Sequence, residues 1–265
     1  MLPVLRRLVG LALACVVALL VVSVGPGVDA LTTVGATSAS DRTGAAATAS
    51  GPGASYAFLS ETRLSLPMRY DPCTPVRFVV NPDGAPEGAV DEVREAFARL
   101  SAASGVPFVD DGLTTERHGR IGDVERPAYQ PARYGVGQWA PILITWASAS
   151  AEPVLAGTVL GYGGSTSYWN GVSDQAYVTG EIVFDRELSL VQPGFGAGLT
   201  RGNLVLHELA HLAGLDHVED RSELMYPTIS TRSPDGYAAG DRAGLARVGA
   251  SAGCLRVASP LGGVR

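Results

Sequence analysis

The feature that most constrains this chain is a group of three histidines, His207, His211 and His217, within eleven positions. The segment that holds them, residues 203–217, reads Asn-Leu-Val-Leu-His-Glu-Leu-Ala-His-Leu-Ala-Gly-Leu-Asp-His. Residues four apart on an α-helix lie one turn apart on the same face, so His207 and His211 can bind one metal ion. A continuous helix would carry His217 roughly 9 Å beyond His211. We therefore predict that the helix ends at Gly214, which tolerates the left-handed backbone of a helix end, and that a turn returns His217 to the ion.

This histidine pattern predicts one catalytic zinc ion. Three neutral imidazoles leave the fourth tetrahedral position of Zn²⁺ open for water, whereas structural zinc sites are closed by four protein ligands. Zinc lowers the pKa of bound water to about 7, which makes hydroxide available at neutral pH. Glu208 is predicted to act as the general base and then as the general acid. Val205, Leu209 and Leu212 are expected to pack the other side of the helix beneath a sheet.

The N-terminus has the pattern of a secretion signal. Two arginines precede the uncharged run from Leu8 to Val24, and Val28-Asp29-Ala30 follows as a small-x-small cleavage pattern. We therefore predict a signal peptide over residues 1–30 and a secreted protein. A retained membrane anchor is the alternative, because the run is at the short edge of what spans a bilayer. Lipid attachment at Cys15 is disfavoured because this cysteine lies inside the apolar run.

The remaining chain divides into a linker and one domain. Residues 31–55 are mostly Thr, Ser, Ala and Gly, a composition typical of a low-complexity flexible linker. The catalytic domain is predicted over residues 56–265. A net charge of −6 argues against nucleic acid as a partner, and a membrane is a partner only if the N-terminal segment is retained. The predicted partner is a protein or peptide substrate.

Two cysteines, Cys73 and Cys254, remain after removal of the signal. An even pair in a chain bound for an oxidising compartment favours one disulfide bond. Two free thiols are the alternative.

The order of predicted elements is that of an α+β domain. Strand composition marks residues 76–81, 108–109, 141–146, 158–162 and 180–185, and helical spacing marks residues 88–104. Residues 112–140 are predicted to be irregular, because they are polar and rich in Gly and Pro. A sheet of four or five strands, one helix and then an active-site helix follow from this order.

The histidine motif, followed by Glu223-Leu224-Met225-Tyr226-Pro227, closely resembles the metzincin clan, and within it the matrixins and their bacterial relatives. The resemblance implies a tight turn that brings Met225 beneath the zinc site as an apolar floor. Clan members that use a tyrosine as an extra zinc ligand carry it one position later than Tyr226, so Tyr226 is expected to be structural.

The resemblance also implies a fold and a cleft. The fold is a twisted mixed sheet with an edge strand over the cleft, a backing helix, the active-site helix, the Met-turn and a C-terminal helix over residues 233–247 with Asp241 near its start. Residues implied to bind substrate are Val159, Leu160 and Gly161 on the edge strand, and Pro227, Thr228 and Ile229 beside the pocket after the cleaved bond. The edge strand should expose its backbone to an extended peptide, the alternative being a capped edge.

Three features depart from the matrixin pattern. Val218 follows the third histidine where matrixins typically have serine, and Cys73 lacks the Arg-Cys-Gly context of the matrixin prosegment latch. A second, structural zinc has too few ligands, since only His118 remains outside the motif. Calcium on carboxylates such as Asp110, Asp111 and Asp123 is possible but unsupported, and a solvated acidic loop is the alternative.

The leading hypothesis is a secreted zinc endopeptidase that hydrolyses peptide bonds. A catalytically silent zinc-containing attachment module and a zinc amidase acting on cell-wall peptides are the alternatives. The intact Glu208 favours an enzyme.

Overall fold

The computed structural model describes residues 18–22, 49–51, 54–119 and 126–263. The predicted cleavage site, most of the predicted linker and Asp123 lie outside the described residues. Within the described ranges, no helix combines the length and apolar character needed to span a membrane.

Among the described residues, eight strands and two α-helices precede the active-site helix, and two short strands and one α-helix follow it. The strands are β1 (Ala18–Val22), β2 (Ala49–Gly51), β3 (Ala54–Phe58), β4 (Val76–Val80), β5 (Phe108–Leu113), β6 (Ile142–Ala147), β7 (Val159–Tyr168), β8 (Ala176–Asp185), β9 (Leu215–Asp216) and β10 (Thr228–Ile229). The helices are α1 (Ala89–Ser104), α2 (Pro131–Tyr134), α3 (Arg201–Ala213) and α4 (Ala239–Val248).

A mixed sheet of order β10-β1-β7-β8-β6-β4-β5 forms the centre of the fold. Strands β8, β6, β4 and β5 pair in parallel, and β7 pairs antiparallel with β8. These five strands confirm the predicted α+β class and mixed sheet. Strands β1 and β10 extend the sheet beyond β7, and a small second sheet has the order β2-β3-β9.

Strands β7 and β8 are longer than predicted, because their glycines and serines pair instead of forming a loop. Gly164 pairs with Glu181, and Ser165 pairs with Gly180. A Cβ atom on Gly180 would lie 2.6 Å from Leu212 Cδ1 of α3, so this position accommodates the close approach of the helix. Gly180, the first residue of the strand predicted over residues 180–185, therefore marks a helix contact in the fold.

Helices α1 and α3 pack against the same face of the sheet. On α1, Val93, Phe97 and Leu100 are fully buried, and Phe97 stacks on Phe78 of β4 with ring centroids 3.9 Å apart. All thirteen residues of α3 are buried. We predicted burial of one side of this helix only, through Val205, Leu209 and Leu212. The helix is instead buried on all sides, because it contacts β7, β8, β9, α1 and α4.

Two other boundaries differ from the predictions. The last helix begins at Ala239 rather than near residue 233, because Pro234 and Gly236, the latter with φ of 74°, hold the preceding residues in a turn. The segment predicted to be irregular contributes the end of β5 and the short helix α2.

Cys73 and Cys254 form a disulfide, with Cα atoms 5.3 Å apart, which confirms the predicted pairing. The bond ties the chain just before β4 to the segment after α4. In the chain-entropy account, closing a loop of 181 residues stabilises the fold by up to roughly 5 kcal/mol.

Candidate metal and catalytic site

Helix α3 begins at Arg201 and ends at Ala213, immediately before the predicted stop at Gly214. Thr200 caps the N-terminus, where its hydroxyl accepts a hydrogen bond from the Asn203 N–H at 3.2 Å. Gly214 ends the helix with φ of 115°, and its N–H donates to the carbonyls of Ala210 and His211. A Cβ atom at this position would lie 2.8 Å from the Met68 carbonyl oxygen. Both the backbone conformation and the space therefore favour glycine here.

The turn after Gly214 brings the three histidines together. The Nε2 atoms of His207, His211 and His217 lie 3.0–3.1 Å from one another. The Nδ1 atom of His207 lies 2.8 Å from the Leu224 carbonyl oxygen, and that of His211 lies 2.8 Å from the Leu215 carbonyl oxygen. A carbonyl oxygen only accepts, so each of these Nδ1 atoms carries the proton and each Nε2 atom presents its lone pair to the centre.

This donor set fits Zn²⁺. Burial first, and then the charge of His217, lower the pKa of His207 to about 3, and the pKa values of His211 and His217 are lowered mainly by burial. Neutral imidazoles are the form that binds metal. The converging lone pairs of three such rings repel one another unless a cation lies between them. The backbone bonds at Nδ1 supply the outer contacts that orient histidine ligands.

Glu208 lies beside the histidines and is completely buried. Neither of its carboxylate oxygens has a hydrogen-bond partner among the described residues, and burial raises its pKa well above the ordinary value. Its Cγ atom would lie 3.5 Å from a Cβ atom built on Gly161 of β7, so the carboxylate is directly beneath that strand. Burial of a carboxyl group without a hydrogen-bond partner lowers the stability of the fold. Such groups are common in catalytic sites.

The turn that contains Met225 links the histidines to α4. Met225 is buried, and its carbonyl oxygen accepts a hydrogen bond from the Val218 N–H at 3.0 Å. The preceding residue, Leu224, accepts from His207 Nδ1. Tyr226 is half-buried and its ring lies 4.9 Å from the Arg221 guanidinium carbon, an arrangement in keeping with a structural role.

Sequence reasoning missed the residue that anchors this turn, Glu223. Its carboxylate accepts hydrogen bonds from the Gly240 and Asp241 N–H groups in the first turn of α4, both at 2.9 Å. In return, the Asp241 carboxylate accepts from the Leu224 N–H at 2.7 Å and the Met225 N–H at 3.2 Å. The sequence marks Asp241 as a residue near a helix start but gives no sign of its partner. The reciprocal hydrogen bonds join residues about 17 positions apart, too far for a local pattern to reveal them.

The residues predicted to bind substrate lie on two strands that flank the site. Val159, Leu160 and Gly161 begin β7, while Thr228 and Ile229 form β10, preceded by the exposed Pro227. In this structure β1, which lies inside the predicted leader, pairs with this edge of β7 and lies between β7 and β10. The capped-edge alternative therefore describes this structure, and the cap is a strand of the same chain.

Two of the acidic residues considered for calcium, Asp110 and Asp111, are engaged in ion pairs. Asp110 pairs with Arg94 at 2.8 Å, and Asp111 pairs with Arg77. Among the described residues, two sets of side chains have potential ligand atoms close enough together to bind one metal ion. One set is the three histidines, and the other is Asp71 with the two disulfide cysteines. Disulfide sulfurs are not thiolate ligands, so the histidine set is the one suited to a metal ion.

Comparison with known proteins agrees with the geometry. Residues 169–247 match the matrixin family, a segment that spans β8, all of α3, the Met225 turn and nearly all of α4. No curated protein matches the chain. Among solved structures, the chain is similar to metalloproteinase-II from Bacteroides fragilis, with 17% identity and a TM-score of 0.37 over 69% of this chain and 56% of that chain. The chain thus spans little more than half the length of that protein. The family match confirms the resemblance predicted from the sequence: the segment that carries the three histidines is similar to the matrixins.

Proposed function

We propose that this protein is a secreted zinc-dependent endopeptidase. The observation that carries the proposal is the position of Glu208, a fully buried carboxyl group without a protein partner beside three imidazoles whose lone pairs converge. A silent zinc-containing module has no need of such a residue. The matrixin match over residues 169–247 supports peptide-bond hydrolysis as the reaction.

His207, His211 and His217 would hold zinc, which would supply an acidified water and polarise the substrate carbonyl. Glu208, buried beside the histidines without a hydrogen-bond partner among the described residues, is placed to take a proton from a water at that site and to return it to the leaving amine. Once the leader that contains β1 is removed, the backbone of β7 at Val159 to Gly161 is free to hold an extended peptide by strand pairing.

An endopeptidase should cut a diverse peptide library at internal bonds, and mass spectrometry of the products identifies the cleaved positions. We expect zinc-loaded protein to give two new internal termini per cut and protein treated with a chelator to give none. Release of single terminal residues only would contradict endopeptidase action. Intact peptides after incubation with the zinc-loaded protein would favour the silent module.

Secretion is the second part of the proposal and depends on the leader over residues 1–30. We expect protein recovered from culture supernatant to begin at Leu31, since Val28-Asp29-Ala30 is a small-x-small cleavage pattern. N-terminal sequencing measures this directly. Recovery of the protein only in membranes, with residues 8–24 retained, would contradict it.

A further inference from the structure

A cavity of about 790 Å³ lies at the end of the sheet away from Glu208. Residues at or next to the N-terminal ends of β4, β6 and β8 line it, among them Tyr177 of β8. Gly161, the residue above Glu208, pairs instead with Phe184 near the C-terminal end of β8. Tyr177 and Phe184 are seven positions apart on this strand, a separation of roughly 23 Å. The cavity is therefore separate from the catalytic centre.

The C-terminal segment, residues 254–260, forms the opposite wall of the cavity. The disulfide between Cys73 and Cys254 ties the beginning of this segment to the chain before β4. Further along, the Trp139 indole N–H donates a hydrogen bond to the Ala258 carbonyl oxygen at 3.0 Å. Both ends of the wall are thus held against the domain, so the cavity is formed before any ligand binds.

Most of the cavity lining is apolar. Aliphatic, aromatic and proline side chains from the sheet, the segment before β6 and the C-terminal wall contribute to it, including Pro75, Val76, Trp139, Leu255, Val257 and Pro260. At the rim, Val136 is 71% exposed, which is costly for an apolar side chain unless something covers it. A largely apolar cavity of this size with a few polar groups is typical of a binding site for a small molecule.

Two arginines among the lining residues favour a negatively charged ligand. Arg256 is exposed, and its guanidinium makes no hydrogen bond or ion pair with a described residue. Arg77 pairs with Asp111 and donates to the Gln138 side-chain oxygen at 3.3 Å. A guanidinium has five N–H groups, so Arg77 keeps donors for a ligand.

Two further acidic residues near these arginines already accept hydrogen bonds from the protein. Asp71, which lines the cavity, accepts three among the described residues. Asp174, which does not line the cavity, accepts from the Arg256 N–H at 2.7 Å. The described lining residues therefore carry two arginines and one aspartate, a positive balance in a chain of net charge −6.

We propose that this cavity binds a free amphipathic anion, a small molecule with an apolar body and a carboxylate head. The apolar body packs between Trp139 and Val257, and the carboxylate accepts hydrogen bonds from Arg256 and Arg77. This site uses none of the zinc ligands, so its occupancy is measured without a peptidase assay.

The test compares decanoate with decyltrimethylammonium, which have the same alkyl chain and opposite charges. Each is titrated below its micelle concentration into the full chain by isothermal titration calorimetry. We expect one decanoate per chain, bound at least about tenfold more tightly than the cation, the factor that one charge-assisted hydrogen bond supplies. The net charge of −6 by itself favours the cation, so preference for the anion reports the local arginines.

Arg256→Ala should weaken decanoate binding about three- to tenfold and should not weaken binding of the cation. The matched control is Arg247→Ala, which removes an exposed arginine of α4 outside the cavity lining and should bind decanoate like the parent. Val257→Trp fills the cavity and should weaken binding of both ligands at least about tenfold. Thermal unfolding of each variant verifies its fold.

Equal affinity for the two ligands would overturn the proposal, as would decanoate binding that neither cavity variant weakens. Uptake of many decanoate molecules per chain without saturation would also overturn it, because that result indicates adhesion to exposed apolar surface. Arg256 is exposed, so Arg256→Ala should fold and decides the question if Val257→Trp does not.

Discussion

Replacement of Glu208 by glutamine should lower kcat by about 10²–10⁴-fold, the usual contribution of a general acid–base group. Zinc content should stay at one ion per chain, because the three imidazoles remain and the carboxyl group is not needed as a ligand. His211→Ala should lose both zinc and activity, since two imidazoles hold the ion poorly. Elemental analysis beside a peptide-cleavage assay measures both quantities.

The same Glu208→Gln variant should be at least as stable as the parent when both are metal-free. Burial raises the pKa of Glu208, so the folded parent favours the protonated form and loses stability as pH rises above the ordinary glutamate value of 4.5. Glutamine cannot ionise, and the difference should therefore be larger at pH 7 than at pH 4. Denaturant unfolding in the presence of a chelator measures this difference.

Glu152→Gln is the matched control for these experiments. This glutamate is 3% exposed and lies beside Tyr162, on the opposite face of β7 from Glu208. Its replacement should leave kcat unchanged. Full activity of Glu208→Gln, or an equal loss of activity in Glu152→Gln, would show that the assigned base is wrong.

Replacement of Arg126 by methionine should destabilise the fold by about 3–5 kcal/mol, the usual effect of removing one partner of a buried ion pair. The guanidinium donates to both carboxylate oxygens of Glu116 at 2.9 and 3.0 Å, and to the carbonyl oxygens of Pro141 and Gly180. The variant leaves the Glu116 carboxylate buried with, among the described residues, only Gln130 and Tyr134 as side-chain donors. Urea unfolding at pH 7 measures the loss.

This pair also predicts how stability depends on pH. Burial alone would raise the pKa of Glu116, but the Arg126 hydrogen bonds and charge, together with Tyr134 and Gln130, bring it below 4.5. The contribution is therefore fully present above pH 4.5 and is lost as pH falls through the lowered value. The double variant Glu116→Leu/Arg126→Met should recover at least about 1–2 kcal/mol relative to Arg126→Met, because no unpaired charge remains. A double variant as unstable as the single one would show that packing, not charge, is the cause.

The local features of the site were predictable because they depend on short spacings. The helix that carries His207 and His211 and its end at Gly214 follow from residues within one or two turns of each other. The reciprocal bonds between Glu223 and Asp241 and the Glu116–Arg126 pair were not predictable, because tertiary packing brings their partners together. The sequence also marks residues 18–22 only as part of an apolar leader, since its pattern does not specify which edge strand accepts it.

The bond from His207 Nδ1 to the Leu224 carbonyl oxygen has a consequence for how this protein unfolds. Leu224 is in turn held by Asp241 at the start of α4, so a ring that binds the ion is joined through two hydrogen bonds to the last helix of the fold. Binding of the ion and packing of α4 against the domain are therefore thermodynamically coupled. Binding of the ion stabilises the packing of α4, and a change that loosens α4 lowers the affinity for the ion. The coupling free energy is the same in both directions.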